Sequence, residues 1–177
     1  GADGIVFVVQ SVSSGVGGGG GGIGFAGIPR SVGVEFDNWC NVVNNDPSPN
    51  HVGIDLNGSL VHDPDADFTE PLDVSLDDGR MLYAWVDYDG TVLRVYFNAE
   101  SPIQPFQPVV KRELDLPAIL EQDTGFVGFP SGTGAAWANH DIVYWEYTPF
   151  SPVCFGDFDG SGVIDGADLT ALLGNWG

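Results

Sequence analysis

One apolar run, Val32 to Asp37, carries two acids two residues apart, Glu35 and Asp37, and no other feature restricts the fold of this chain as much. The run is rich in Val and Phe and reads as a strand, on which alternate side chains share a face, so both carboxylates leave the sheet on the same side. Beyond Asp37 the chain turns polar and Asn-rich, and a loop of that composition can bring Asn41, Asp46 and a main-chain carbonyl back toward the Asp37 carboxylate. These are hard oxygen donors and suit calcium. The next strand, His51-Val52-Gly53-Ile54-Asp55, opens on an imidazole, which suits a transition metal such as manganese. The stretch therefore predicts two paired strands with a metal site at their shared end.

Charge narrows the partners. Five basic residues against 25 acidic ones leave a net charge of -20, which repels nucleic acid and anionic membrane surfaces. No run of about 18 apolar residues is present, so no membrane span is expected. The 177 residues fit one domain of ordinary size plus a small appendage, and 43% hydrophobic content supports a core despite 26 glycines. Cys40 and Cys154 permit one disulfide without requiring it, and no C-x-x-C pattern points to structural zinc.

Most of the chain reads as short strands. Ile5 to Val9 is a buried strand; Leu72 to Leu76, Met81 to Val86 and Val92 to Phe97 follow at regular spacing, the last two joined by the Asp89-Gly90 hairpin turn. Gly125 to Phe129 and His140 to Trp145 complete the set, with one helical turn expected at Leu116 to Leu120. Residues 11 to 24 form a Ser/Gly loop with six consecutive glycines, Gly17 to Gly22, in which a G-x-G-x-x-G match carries no weight. His62 to Asp67 reads as a solvated acidic turn. The expected class is all-β, an antiparallel β-sandwich.

Thr148 to Pro152 reads as a linker to a separate tail. Asp157, Asp159, Ser161, Asp165 and Asp168 stand at positions 1, 3, 5, 9 and 12 of an EF-hand-like calcium loop, with Gly162 at position 6 and Val163 at the main-chain position 7. A short Leu-rich helix follows.

Sandwiches of similar outline include laminarinase-type glycosidases, whose catalytic strand is written Glu-x-Asp-x-(x)-Glu. Retaining hydrolysis needs a second carboxyl about 5 Å from the first. Here Trp39 and Cys40 occupy the positions for that glutamate, so hydrolysis by this strand is not expected.

The order Glu35-x-Asp37-x-Trp39-x-Asn41, then Asp46-Pro47, then His51-x-Gly53-Ile54-Asp55, resembles the paired-metal loop of the legume-type (L-type) lectins. Ala2-Asp3-Gly4 before a strand, Asp-Gly-Arg and Leu-Arg-Val-Tyr in the middle hairpins, and Gly125-Phe126 through Thr133-Gly134 to His140-Asp141 extend the resemblance over nearly the whole chain, the hairpins in the manner of bacterial members. It implies a jelly-roll, concanavalin-like sandwich over residues 1–148, a linker over 149–155 and a tail, 156–177, that resembles one dockerin repeat.

What the resemblance implies for the site is specific. Glu35 and His51 would bind manganese or another transition metal, Asp37 and Asp46 would bridge both ions, and Asn41 with the Trp39 carbonyl would complete the calcium shell. Asp3, reached through a cis Ala-Asp peptide, Asn41, Trp39, a main-chain N–H of Gly20 or Gly21, and the specificity loop at Ala135 and Ala136 would hold a sugar. The implied function is non-catalytic glycan binding by a secreted or surface protein; a structural or adhesion module with a vestigial sugar site is the alternative. The dockerin-like tail implies a cohesin-like partner, although dockerins pair two repeats and one is present. Lectin domains of this kind have further strands ahead of Ala-Asp-Gly, so an open apolar face is expected here.

Overall fold

A computed structural model of the chain describes residues 1–149 together with residues 166, 167, 169 and 170. The chain divides into two compact units, Gly1–Val143 and Tyr144–Gly177. In the second, the four described tail residues are helical, and the Thr170 hydroxyl donates to the Gly166 carbonyl at 3.0 Å. The calcium-loop positions Asp157, Asp159, Ser161, Val163, Asp165 and Asp168 lie outside the described residues, as does Cys154.

The first unit is built from two antiparallel sheets. β1 (Gly4–Gln10), β2 (Ser31–Asp37), β3 (His51–Leu56), β4 (Thr69–Pro71), β8 (Phe126–Gly128) and β9 (Ser131–Gly132) make the larger sheet, ordered β4-β3-β2-β1-β8 with β9 also on β1. β5 (Tyr83–Tyr88), β6 (Val92–Asn98) and β7 (Val110–Glu113) make the smaller. β8 and β9 meet β1 in a single register and are separated around Pro130, which has no N–H for the ladder but accepts from Val6 N at 2.9 Å.

Alternation explains why β2 and β3 are buried on both faces. Val32, Val34, Val52 and Ile54 point toward the smaller sheet and pack with Leu93, Val95 and Val110, and this is the sandwich core. The opposite face bears Glu35, Asp37, His51 and Asp55 at one end. A second cluster, Val6, Val8, Ile23, Phe25, Ile28 and Leu60, covers the rest of it. The glycine-rich segment supplies half of that cover: its backbone is tied by Gly17 N to Gly24 O, Gly18 N to Ala26 O and Ile23 N to Gly20 O, and this folds Ile23 and Phe25 down to full burial.

Ile23 to Phe25 form turns, Ile23 lying at φ 41° and Gly24 at 71°. Two expected elements differ. Leu72 to Leu76 is irregular: Leu72 N donates to Asn50 O in line with the β3–β4 register, but Leu76 N then turns to the Asn50 side chain, Oδ1. His140 to Trp145 has the alternation of a strand but carries no strand assignment. The helical turn forms as α1 (Leu116–Leu120), capped by Asp115 Oδ1 accepting from Ala118 N at 2.9 Å. Phe126 and Val127 on β8 are 47% and 49% exposed, so this edge of the larger sheet carries apolar side chains in water.

Candidate metal centre and the loops beside it

Strand register assembles the acidic end. Asp37 pairs with His51, Glu35 with Gly53 and Gly33 with Asp55, and directly paired residues project to the same side. Gly53 is the residue that makes room, since a Cβ there would lie 2.5 Å from Glu35 Oε1. The loop from Asn38 to Asn50 then folds back through a 3-10 turn at Val42–Asn44, and the Asn41 N–H donates to the Asp46 carboxylate. Trp39 N–H donates to Asp37 Oδ1 at 2.6 Å. His51 Nε2 ends 3.3 Å from Glu35 Oε1 and 4.0 Å from Asp46 Oδ1. Glu35, Asp37, Asp46 and His51 are thus brought together as the spacing predicts, in two sets, Asp37/Asp46/His51 and Glu35/His51/His62, that share His51.

His62 is the residue that sequence reasoning missed. Its place in an acidic turn suggested exposure, whereas its side chain is 3% exposed with Nε2 3.1 Å from Glu35 Oε1 and 3.5 Å from Asp46 Oδ1. The cause is main-chain: His62 N donates to Asn44 O and Asn45 Nδ2 donates to His62 O, which pins the residue to the Asn-rich loop. Both contacts join segments far apart in sequence, and the only local hint was a rare histidine next to an acidic run. Asp63, Asp65 and Asp67 do face solvent or its margin, as expected.

Electrostatics follow from burial. Desolvation, with Asp37 and Asp46 adding, holds the Glu35 carboxyl well above its ordinary value, while a hydrogen bond with Asp55 pulls it back. Asp55 is also held up by burial and by Glu35, against the field of Arg112. Burial pushes Asp37 up to about 7 despite the Trp39 N–H and the nearby His51. Desolvation holds His62 below its ordinary value, against the field of Asp46. Glu35 Oε1, His51 Nε2, His62 Nε2 and Asn41 Oδ1 are buried without a hydrogen-bond partner. Buried, unpaired donor atoms of this kind fit a cation, which would supply the charge the fold withholds.

The residues expected to hold a sugar lie beside this centre. The Ala2–Asp3 peptide is cis, and Asp3 is anchored by its N–H to Gly132 O and its carbonyl to Asn38 N, both 3.0 Å. Asp3 Oδ2 has no partner, and a Cβ on Gly134 would lie 3.3 Å from it and 3.9 Å from Gly20 Cα. A Cβ on Gly21 would meet Asn41 Nδ2 at 3.0 Å, so the polyglycine backbone passes directly between Asn41 and the 132–134 loop. Trp39 is 44% exposed; Ala135 is exposed and Ala136 half-buried, its carbonyl accepting from Gly134 N at 3.0 Å. His140, assigned no role from sequence, stands near Asp3 with a buried, unpartnered Nε2, and its field opposes the burial that raises the Asp3 carboxyl.

The fold has counterparts among known proteins. The family model described as the legume lectin domain matches residues 1–152. Among curated proteins, the chain is 34% identical over 125 residues to the L-type lectin-domain containing receptor kinase SIT2 of Oryza sativa subsp. japonica, covering 64% of this chain and 18% of that protein. It is 32% identical over 166 residues to the L-type lectin-domain containing receptor kinase VIII.1 of Arabidopsis thaliana, covering 90% of this chain and 22% of that one. Among solved structures it resembles basic winged bean lectin with Tn-antigen (29% identity, 75% of this chain, 53% of that chain, TM-score 0.57). It also resembles winged bean acidic lectin complexed with methyl-α-D-galactose (26% identity, 76% and 55% covered, TM-score 0.60). The chain therefore spans about a fifth of the length of the curated relatives and just over half of the two lectins. These relatives are plant proteins, whereas the middle hairpins suggested bacterial ones.

Proposed function

We propose, for a chain that belongs to the legume lectin family, that its β-sandwich is a metal-dependent glycan-binding module that holds sugars without transforming them. The observation that carries this is the unsatisfied acceptor Asp3 Oδ2 facing the Asn41 amide across the Gly20–Gly21 backbone, beside the carboxylate cluster. A sugar hydroxyl supplies the donor Asp3 Oδ2 lacks, and Asn41, its Oδ1 turned to calcium, offers Nδ2 to a sugar oxygen. Calcium held by Asp37, Asp46, Asn41 and the Trp39 carbonyl would orient the Asn41 amide, and a transition metal at Glu35 and His51 would brace the same loop. When bound, the ions contribute positive charge and fixed loop geometry. Trp39 offers a ring face to the apolar side of a pyranose, and the Ala135–Ala136 loop, at the rim, sets which sugar fits.

Such a site is shallow and loses hydration at each hydroxyl, so a monosaccharide should bind with a Kd of about 0.1 to 1 mM. The test is a glycan array with calcium present, followed by titration of the best ligand into the parent and into Asp3→Asn and Asn41→Ala. Loss of a charge-assisted hydrogen bond should weaken binding about tenfold or more in Asp3→Asn. Equal binding by both folded, metal-loaded variants would remove the sugar from this position. A lectin with this acidic surface suits the outside of a cell, and among the described residues no helix is long and apolar enough to cross a membrane. The spacing from Asp157 to Asp168 supports one further calcium loop in the tail, to be checked by calcium titration of Asp157→Ala.

A further inference from the structure

We propose that His62 is a direct ligand of the transition-metal position, so that this chain offers two imidazole nitrogens where the loop motif alone supplies one; the proposal rests on the metal-dependent reading above. Three donor atoms lie within reach of one ion there, Glu35 Oε1, His51 Nε2 and His62 Nε2, and Asp46 Oδ1 borders them, 3.5 Å from His62 Nε2 and 4.0 Å from His51 Nε2. His62 Nε2 lies 3.1 Å from Glu35 Oε1, and His51 Nε2 lies 3.3 Å from Glu35 Oε1. Atoms about 2.1 Å from a common ion sit about 3.0 Å apart at a right angle and about 3.4 Å apart at the tetrahedral angle. These separations fall at that spacing.

Two further observations separate a ligand from a simple ion pair. Although 3.1 Å apart, His62 Nε2 and Glu35 Oε1 form no hydrogen bond with one another, and each is buried without any other partner. The far nitrogen of each ring is occupied, as metal-binding histidines require: His51 Nδ1 donates to Ser48 O at 2.9 Å, which leaves Nε2 the lone pair, and His62 Nδ1 meets Thr69 Oγ1 at 2.6 Å. The rings stand edge to face, 84° apart with centroids at 5.3 Å.

A second imidazole beside these carboxylates shifts the donor set toward zinc, cobalt, nickel or copper and away from manganese, which prefers oxygen. Zinc outranks manganese at most nitrogen sites, so the diagnostic quantity is the change on substitution. Tag-free chain, stripped with chelator and returned to calcium, is titrated calorimetrically with zinc as parent, His62→Gln and His51→Gln. In parallel, the parent is loaded with copper and its paramagnetic resonance spectrum recorded. The expected results are a loss of about tenfold or more in zinc affinity in His62→Gln, with calcium affinity little changed, and a spectrum showing two nitrogens on copper. Zinc binding in His62→Gln equal to the parent, or one nitrogen on copper, overturns the proposal. If His51→Gln also binds zinc like the parent, the whole metal reading fails; if His51→Gln alone loses zinc, only the role of His62 does. Should His62→Gln not fold, the nitrogen count in the parent decides.

Discussion

The chain carries acids in two kinds of place, and they are treated in opposite ways. In the β5–β6 turn, Asp89 Oδ1 accepts from Thr91 N and Val92 N at 2.9 and 2.8 Å, and Oδ2 accepts from Arg94 Nη1 at 2.6 Å. Asp78 likewise pairs with Arg80 at 2.6 Å. Both carboxyls are held below their ordinary range by those hydrogen bonds. At the end of β2 and β3, Glu35, Asp37 and Asp55 are buried and all held above it. Three of the chain's five basic residues, Arg30, Arg80 and Arg94, are engaged with exposed acids. Arg112, the one arginine whose field reaches Asp55, donates to Ile54 O at 2.7 Å and lies over the Phe68 ring. The acidic turns are satisfied within the chain, whereas the strand end keeps Glu35 Oε1 and Asp55 Oδ2 buried without a hydrogen-bond partner among the described residues.

The sharpest break of that contrast is metal removal. A ligand at a thousand times its Kd stabilises by about 4 kcal/mol, and for a domain of this size each kcal/mol moves Tm by about 2 to 4 °C. Chelator should therefore lower the Tm of the sandwich by roughly 10 °C at neutral pH, with the ions restored reversing it. An unchanged Tm, together with no bound metal by elemental analysis, would place the strand end in the same class as the turns.

The second test uses proton uptake in the metal-free chain. Asp37 rises from 3.8 to about 7 on folding, chiefly through burial, and Glu35 and Asp55 rise with it. Groups with raised folded values bind more protons in the native state, so their contribution is fully present below about pH 4 and is lost as pH climbs toward 7. The stripped protein should therefore lose stability across that window, by an amount on the order of a few kcal/mol. With metal bound the slope should reverse, since the ions need the carboxylates ionised. Denaturant titrations at pH 4.5 and 7.5, with and without ions, read both signs, and parallel curves in the two states would refute the contrast.

Gly53→Ala is a narrower intervention. Its Cβ would fall 2.5 Å from Glu35 Oε1 and 3.1 Å from Thr69 Oγ1, so the carboxylate and the partner of His62 must both shift. Transition-metal affinity should drop about tenfold while far-ultraviolet circular dichroism stays that of the parent. Affinity equal to the parent's would mean that Glu35 is not held by this close fit.

How much of this was legible depended on the range of the causes. Glu35, Asp37, Asp46 and His51 could be read because strand alternation and a short loop are local rules. His62 could not, because its position is set by hydrogen bonds to Asn44 and Asn45 across the loop, and the acids next to it argued for solvent. The Leu72 to Leu76 strand failed for a related reason: its pattern alternates, but beyond Leu72 the chain leaves the ladder and Leu76 N donates to the Asn50 side chain. Ile23 and Phe25 have strand-like residues, yet glycines on both sides let the chain turn and bury them beneath the larger sheet.

The smallest expected effect tests the other half of the comparison. Asp89→Asn removes the charge that faces Arg94 but keeps an oxygen able to accept from Thr91 N and Val92 N. Both partners are in water, where an ion pair gains little over solvation and salt screens what it gains. The Tm should fall by no more than about 3 °C, and the difference should shrink in high salt. Metal affinity should be unaffected, because Asp89 makes its hydrogen bonds within its own hairpin and none to the strand end. A larger fall, or one coupled to metal, would show that the hairpin acids also act on the metal end, and the division between self-satisfied and cation-requiring acids would have to be redrawn.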